Sequence, residues 1–410
     1  MSLPGEYYEK EKQNCCGCGA CQAICPTKSI TMELDDEGFL YPKKSSLQCI
    51  HCNKCIAVCP MLNVIKNSDF EQKVYAAWAR DYKTRLDASS GGLFETMAHL
   101  VIDGGGIVCG AAFDEHLKLK HFCVDNLENL KKLCKSKYIQ SNTDDVFIKI
   151  KEYLFNGRKV LFVGTPCQAA GLRGYLGKEY ENLIVFDFIC HGVPSQDMFD
   201  KCIKYEEKKR GGKINSFTFR VKHGNVKEVH GYAYSIKTKG KVIRKKGLYY
   251  EFPYYFGFKK YIFFRPSCYS CPYSTPDRCS DITLADFWGV EKYIKNVDFY
   301  KGVSMVIINS QKGNELFEKV KEKIIFYDSN IQTAIECNQC LSNSTPLPKV
   351  REAMFKDLNN IPFDNFIKKY LIPKKTIFHK LLYILPGFIR KKLVKLLPVI
   401  KQIKKRGSFF

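Results

Sequence analysis

The chain has 410 residues, with 65 basic against 42 acidic side chains and a formal net charge of +23. That length suits two or three domains, and 45% hydrophobic residues allow a sizeable core. No run of 18 apolar residues predicts a spanning helix, and residues 1–10 lack an export-signal pattern. Twenty cysteines without an export signal point to a reducing, cytoplasmic setting. The charge is uneven: residues 1–66 are neutral, while residues 371–410 carry 11 basic and no acidic groups. No helix-turn-helix or basic aromatic face supports nucleic acid as a partner.

In chain order, cysteines dominate the first sixty residues. Cys15, Cys18, Cys21 and Cys25-Pro26 read C-x2-C-x2-C-x3-C-P, and Cys49, Cys52, Cys55 and Cys59-Pro60 repeat it. A [4Fe–4S] cube takes four thiolates, three from the tight turn and the fourth from the other frame. This predicts one cluster on Cys15, Cys18, Cys21 and Cys59 and another on Cys49, Cys52, Cys55 and Cys25. Zinc has no use for such triplets. Cys16 is the spare thiol. Residues 10–65 resemble bacterial two-cluster ferredoxins, and Ile30–Pro42 reads as the hairpin between the halves.

Beyond a polar linker at 63–72, Val74–Ala79 reads as a strand. Ser89-Ser90-Gly91-Gly92 opens a helix, LFETMAHLVID, and Ile107–Phe113 reads as a buried strand. Lys159–Gly164 and Leu183–Ile189 are strand-like runs, each followed by a loop with a cysteine (Cys167, Cys190) and a helix. That is the rhythm of a parallel sheet, whose strand carboxyl ends bind ligands. Residues 214–262 alternate like antiparallel strands. Cys268-x2-Cys271 and Cys279 follow, then a strand at 303–309 and a helix near 311–323. Cys109, Cys123, Cys134 and Cys202 read as core or surface thiols. Cys337-x2-Cys340 has zinc-ribbon spacing and offers a zinc alternative with Cys268 and Cys271.

The blocks GTPCQAAGL (164–172), CHGVPS (190–195), RPSCYSCPY…SDITLADFWG (265–289) and SSGG (89–92) resemble the coenzyme F420 hydrogenase/dehydrogenase beta subunit family. They are similar above all to its bacterial branch with an N-terminal two-cluster ferredoxin, associated with polysaccharide biosynthesis. The resemblance covers about residues 10–350. It implies an α+β and α/β multidomain protein: a ferredoxin domain (1–66), a mixed α/β iron–sulfur flavoprotein core (67–370, in parts near 67–150 and 151–350), and a basic helical tail (371–410). It also implies a third [4Fe–4S] cluster on Cys167, Cys190, Cys268 and Cys271, with Cys279 as a competing ligand. The implied function is an oxidoreductase passing electrons from a redox partner or reduced donor, through clusters and FAD or another flavin, to a two-electron substrate. That substrate is a small molecule or glycan precursor, and coenzyme F420 is a further cofactor the family name carries. The alternative is a non-catalytic electron carrier without flavin.

The chain has no GxGxxG. Candidate flavin-binding groups are Ser89, Ser90, Gly91 and Gly92 at a helix start, Gly164, Thr165 and Asp286. Ordinary helix capping accounts equally well for the serines. His191 is the candidate catalytic residue, as a proton relay, with orientation of its loop the competing role.

In the tail, Ile389, Leu393, Leu396, Leu397, Ile400 and Ile403 share one helical face and lysines and arginines fill the rest. Such a face suits the anionic inner surface of a membrane, through residues 375–410. The full-length chain is therefore expected to bind anionic vesicles at low salt and to release sharply as salt rises, since salt screens the basic residues but not the apolar face. Deleting residues 375–410 should abolish binding; a full-length chain that ignores such vesicles would make the tail a packing element.

Overall fold

In the computed structural model, which describes residues 11–65, 70–222, 231–295 and 297–373, the N-terminal cysteine loops flank a hairpin. Strands β1 (Ile30–Leu34) and β2 (Leu40–Lys44) pair antiparallel. Asp35 closes their turn by accepting from the Glu37 and Phe39 amides at 3.1 and 2.8 Å. Each cysteine loop winds into a short helix, Ala20–Ile24 and Lys54–Ala57. The tail lies outside the described residues.

The core contains β3 (Lys73–Ala79), β4 (Ile107–Phe113), β5 (Leu119–Val124), β6 (Val160–Val163), β7 (Leu183–Phe188), β8 (Lys213–Val221), β9 (Gly231–Thr238), β10 (Lys241–Leu248), β11 (Ile282–Asp286), β12 (Ser304–Ile308) and β13 (Ile324–Ser329). Eight of these form one sheet in the order β13-β3-β12-β11-β7-β6-β4-β5. The four strands β4, β6, β7 and β11 run parallel, and Val160, Leu161 and Phe162 of β6 are wholly buried, as expected of a strand covered on both faces. The expected parallel sheet is thus only its centre. Strands β5, β12, β3 and β13 join antiparallel. Across the β4–β5 pair Cys109 faces Cys123 and is disulfide-bonded to it, where the sequence suggested separate thiols.

Strands β10, β9 and β8 form a second, antiparallel sheet. Its aromatic face, with Phe217, Phe219, Tyr232 and Tyr234, packs in one core with Phe199, Tyr254 and Phe263. The antiparallel reading of 214–262 extends too far: Pro253–Lys259 is a helix. Pro253 at its first position is pre-set for helix and loses no needed donor, and the aromatic run that looked strand-like buries Tyr254, Tyr255 and Phe258 instead.

The helix Pro166–Leu176 joins the N-terminal module to the core. Thr165 caps it, its amide donating to Gln168 Oε1 at 3.1 Å. Its outer face is cut down to glycine where the cysteine loops land: a Cβ on Gly171 would stand 2.9 Å from Cys18 Sγ, and one on Gly174 2.6 Å from the Val58 carbonyl oxygen. Around that contact, core side chains take up the module's carbonyls. Arg265 Nε donates to Cys15 O at 2.7 Å, Gln140 Nε2 to Cys16 O at 3.0 Å, Thr143 Oγ1 to Cys18 O at 2.9 Å, and Tyr273 OH to Pro60 O at 2.7 Å. Arg351 pairs with Glu37 on the hairpin turn.

Gly174→Val should therefore force the Val58 backbone off the helix, costing about 1–3 kcal/mol as overpacking does. Thermal unfolding should shift down and limited proteolysis should release the N-terminal module; an unchanged digestion pattern would refute this packing.

Candidate metal centres

The eight N-terminal frame cysteines line two separate hollows. Cys15, Cys18, Cys21 and Cys59 line one, and Cys25, Cys49, Cys52 and Cys55 the other. Cys59 thus lies with the triplet of the first frame and Cys25 with that of the second. Both loops turn through left-handed residues: Gly17 and Gly19 in the first (φ 68° and 80°), His51 and Asn53 in the second (φ 54° and 56°). Side chains are tolerated in the second loop because His51 and Asn53 face solvent. In the first, a Cβ on Gly17 would lie 2.8 Å from Arg265 Nη1 and one on Gly19 2.6 Å from Thr143 Oγ1. One conformation thus serves twice, with glycine where the core presses on it.

The thiol environments differ likewise. Burial raises Cys15 and Cys21, with Cys59 adding to it, and raises Cys18 against the opposing hydrogen bond of Cys16. Burial also acts on Cys25, but Ser29 and Thr27 outweigh it and hold that thiol at about 7. The Gly17 and His51 amides point at Cys15 Sγ and Cys49 Sγ at 3.3 and 3.4 Å, favouring the thiolate. In the first set, converging thiols that resist ionisation together are what a polycationic iron core would relieve; in the second, Cys25 is already eased towards the thiolate that a cluster takes, so each set fits a cluster in its own way. Among the described residues no three His, Cys, Asp or Glu side chains close on a single ion. A cube is larger than one ion, and the thiols stand around hollows accordingly.

The core cysteines come from three places. Cys167 lies in the first turn of the helix after β6, Cys190 just beyond β7, and Cys268 and Cys271 on the short helical turn Pro266–Ser270 and after it. The charges acting on Cys190, after burial itself, are those of Cys268, Cys167 and Cys271, so the four form one neighbourhood. The Cys16 thiol and then burial raise Cys167, and burial raises the other three, Cys268 to about 12 and Cys271 to about 11. The Gly192 amide points at Cys190 Sγ and the Val193 amide at Cys268 Sγ, each at 3.4 Å. Cys279, the competitor, instead aims its thiol at Pro166 O, 3.7 Å away, and sits among Asp187, Arg173 and Arg278. Cys337 faces Lys292, Glu291 and Glu336, while Cys340 meets His191 Nδ1 at 3.1 Å with Cys271 in its field; among the described residues these four cysteines do not close on a single ion. Cys16 lies thiol to thiol against both Cys18 and Cys167, bridging the N-terminal and core sets.

The remaining candidates are largely engaged within the protein. Ser89 Oγ accepts from the Ser136 amide, Ser90 Oγ donates to Val303 O, and the Gly91 amide donates to Ser304 Oγ, at 2.8, 2.9 and 2.9 Å. Gly92 is the helix N-cap with φ 89°. Gly164 packs on the Phe162 ring, and Thr165, besides its capping role, meets Cys167 Sγ at 3.2 Å. Asp286 is gripped by Arg220 at 2.6 and 2.8 Å, and Arg220 also donates to Ser89 O at 2.8 Å. His191 stacks on Tyr261 and is pulled down to about 4 by burial, with Asp286 and Arg220 in its field. Periodicity gave no sign of Arg220. It occupies a register shift in β8 with φ 56°, which turns an apparently outward arginine into the core. Lys222 beside it donates to the carbonyls of Arg85, Ser90 and Lys301, and burial brings it down to about 7.

A module of crossed cysteine frames seated on a mixed α/β core with a further cysteine set defines an iron–sulfur protein of the electron-transferring class. Residues 14–65 match the 4Fe-4S dicluster domain family, and residues 157–333 match the family described as the C terminus of the coenzyme F420 hydrogenase/dehydrogenase beta subunit. No curated protein matches significantly. A chain in a solved structure of the F420-reducing [NiFe] hydrogenase complex from Methanosarcina barkeri is similar, with 15% identity and a TM-score of 0.43 over 71% of this chain and 94% of that one. Among the described residues no helix is long and apolar enough to cross a membrane.

The sorting of core cysteines predicts that Cys190→Ser lowers iron content by about four per chain, one cube's worth, whereas Cys279→Ser leaves it unchanged. Equal losses from the two variants in anaerobic iron assays would reverse the assignment.

Proposed function

We propose that this protein is an oxidoreductase component with three [4Fe–4S] clusters: one held by Cys15, Cys18, Cys21 and Cys59, one by Cys49, Cys52, Cys55 and Cys25, and one by Cys167, Cys190, Cys268 and Cys271. When bound, such clusters supply one-electron transfer, and a flavin partner converts single electrons to two-electron chemistry. The observation that carries the proposal is the contrast in exposure between the two N-terminal thiol sets, together with the thiol that joins the buried one to the core set. Cys52 and its neighbours Ile50 and His51 are exposed, so a donor protein meets that set first. Cys15, Cys18 and Cys59 are buried beneath the core, and Cys16 links them to Cys167. The protein's own work is to hold these sites in that order and to orient the thiolates with backbone amides.

The flavin and the substrate rest on the family resemblance. The cations Arg220 and Lys222, with Asp286 and His191 in the same neighbourhood, form the part of the core where we place an anionic cofactor. The commitment of Ser89, Ser90 and Gly91 to internal partners supports the rival reading, a flavin-free carrier that serves another enzyme.

Anaerobic purification of the full chain with iron, sulfide, zinc and flavin quantified together separates these readings. About twelve irons per chain and one flavin are expected. Twelve irons without flavin would favour the carrier; about eight would remove the core cluster.

A further inference from the structure

Between the first N-terminal thiol set and the core set lies one residue bonded to both neighbourhoods. Arg265 is completely buried. Its backbone amide donates to Val193 O, on the Cys190 loop, and its carbonyl accepts from the Cys268 amide, each at 2.9 Å. Its side chain leaves that loop and reaches the other site: Nε donates to Cys15 O at 2.7 Å and Nη1 to Gln140 Oε1 at 3.1 Å. The guanidinium lies over the Tyr41 ring at 4.0 Å, with Phe39 at 5.6 Å. Cys15, Cys16 and Cys268 are among the groups whose charges act on it.

The anomaly is its lack of a counter-ion. The buried arginines Arg173, Arg220, Arg278 and Arg351 each hold a carboxylate, and Arg85 donates to the Gly302 and Asp298 carbonyls with the Asp298 charge in its field. Among the described residues none pairs with Arg265, and its buried Nη2 has no hydrogen-bond partner. A guanidinium stays charged at any physiological pH, and an uncompensated buried charge is strongly destabilising. Two carbonyl-type acceptors and two rings do not neutralise it. Thiolate-ligated clusters on either side would: each is a net anion, and each becomes more negative when reduced.

We propose that Arg265 is the shared counter-charge of the Cys15 cluster and the core cluster, a positioning residue that raises the reduction potentials of both and keeps them matched for electron exchange. A positive charge in a water-excluded setting favours the reduced state of any nearby centre, and one charge between two centres acts on both together. The Cys52 cluster, on the solvent side of the module, has none of its cysteines among the leading charges on Arg265 and serves as the internal control. The inference rests on the three-cluster reading, and the iron count tests that reading separately.

The experiment is dye-mediated redox titration with EPR detection on anaerobically purified full-length protein, comparing wild type with R265Q, R265K and Q140E. In R265Q the Cys15 and core clusters should each become at least tenfold harder to reduce, a shift of about 59 mV per tenfold for one electron, with the Cys52 cluster unmoved. R265K, which keeps the charge, should restore most of that shift. Q140E puts a carboxylate on Nη1 and should lower the same two potentials without removing the arginine. Potentials unchanged in R265Q and Q140E at full iron content would overturn the proposal, as would an equal shift in all three clusters. If R265Q loses iron, R265K and Q140E decide: lowered potentials in R265K, or none lowered in Q140E, make Arg265 a structural strap.

Discussion

Thiolates repel one another, and burial magnifies the repulsion because little solvent remains to screen it. Every element around the cysteine sites answers to that constraint. Thiols that converge out of water are pushed up in pKa, as Cys18 and Cys190 are, and they become stable neighbours only when positive charge and amide donors converge with them. The chain provides the donors itself, from Gly17, His51, Ser29, Gly192 and Val193. Iron provides most of the positive charge.

The same constraint accounts for the contrast between the two halves of the N-terminal module. The halves share ligand spacing and loop conformation, yet one loop is solvated and the other is pressed against the helix Pro166–Leu176. A solvated loop has water to satisfy its carbonyls. The buried loop has none, and the core supplies Arg265, Gln140, Thr143 and Tyr273 as donors instead. Docking the module is thus inseparable from satisfying its backbone, and glycine at 171 and 174 is what lets that backbone come close enough.

What could be read in advance follows from the range of the forces involved. The cysteine frames were legible because a cube dictates ligand spacing within a few residues. The helix Leu93–Asp103 and the strand Ile107–Phe113 were legible because their periodicity and glycine stops are local. The aromatic run ending at Ile262 misled, since tyrosine and phenylalanine suit a strand face and a buried helix alike and the deciding proline counts for one residue among many. The antiparallel flanks of the sheet and the Cys109–Cys123 pairing depend on which strands become neighbours across long stretches of chain, which alternation does not encode. Arg220 and Arg265 were invisible for a related reason. An arginine in a strand or beside a proline normally marks the solvated side, and only a register shift in one case and a seated module in the other brings it inside.

The order of burial has a further physical consequence for a chain that handles single electrons. A site open to water is reorganised by solvent each time its charge changes, whereas an enclosed site depends on charges fixed in place by the fold. The Cys52 loop, exposed and flanked by Lys44 and Lys54, is of the first kind and leaves its surroundings to whatever partner covers it. The Cys15 and core sets are nearer the second kind, with Cys15, Cys18 and Cys59 buried, the core cysteines half-buried, and one buried guanidinium between them. The outer set is therefore the place where a partner can adjust the electron's energy. Around the inner pair the fixed charges belong to this chain, Arg265 among them.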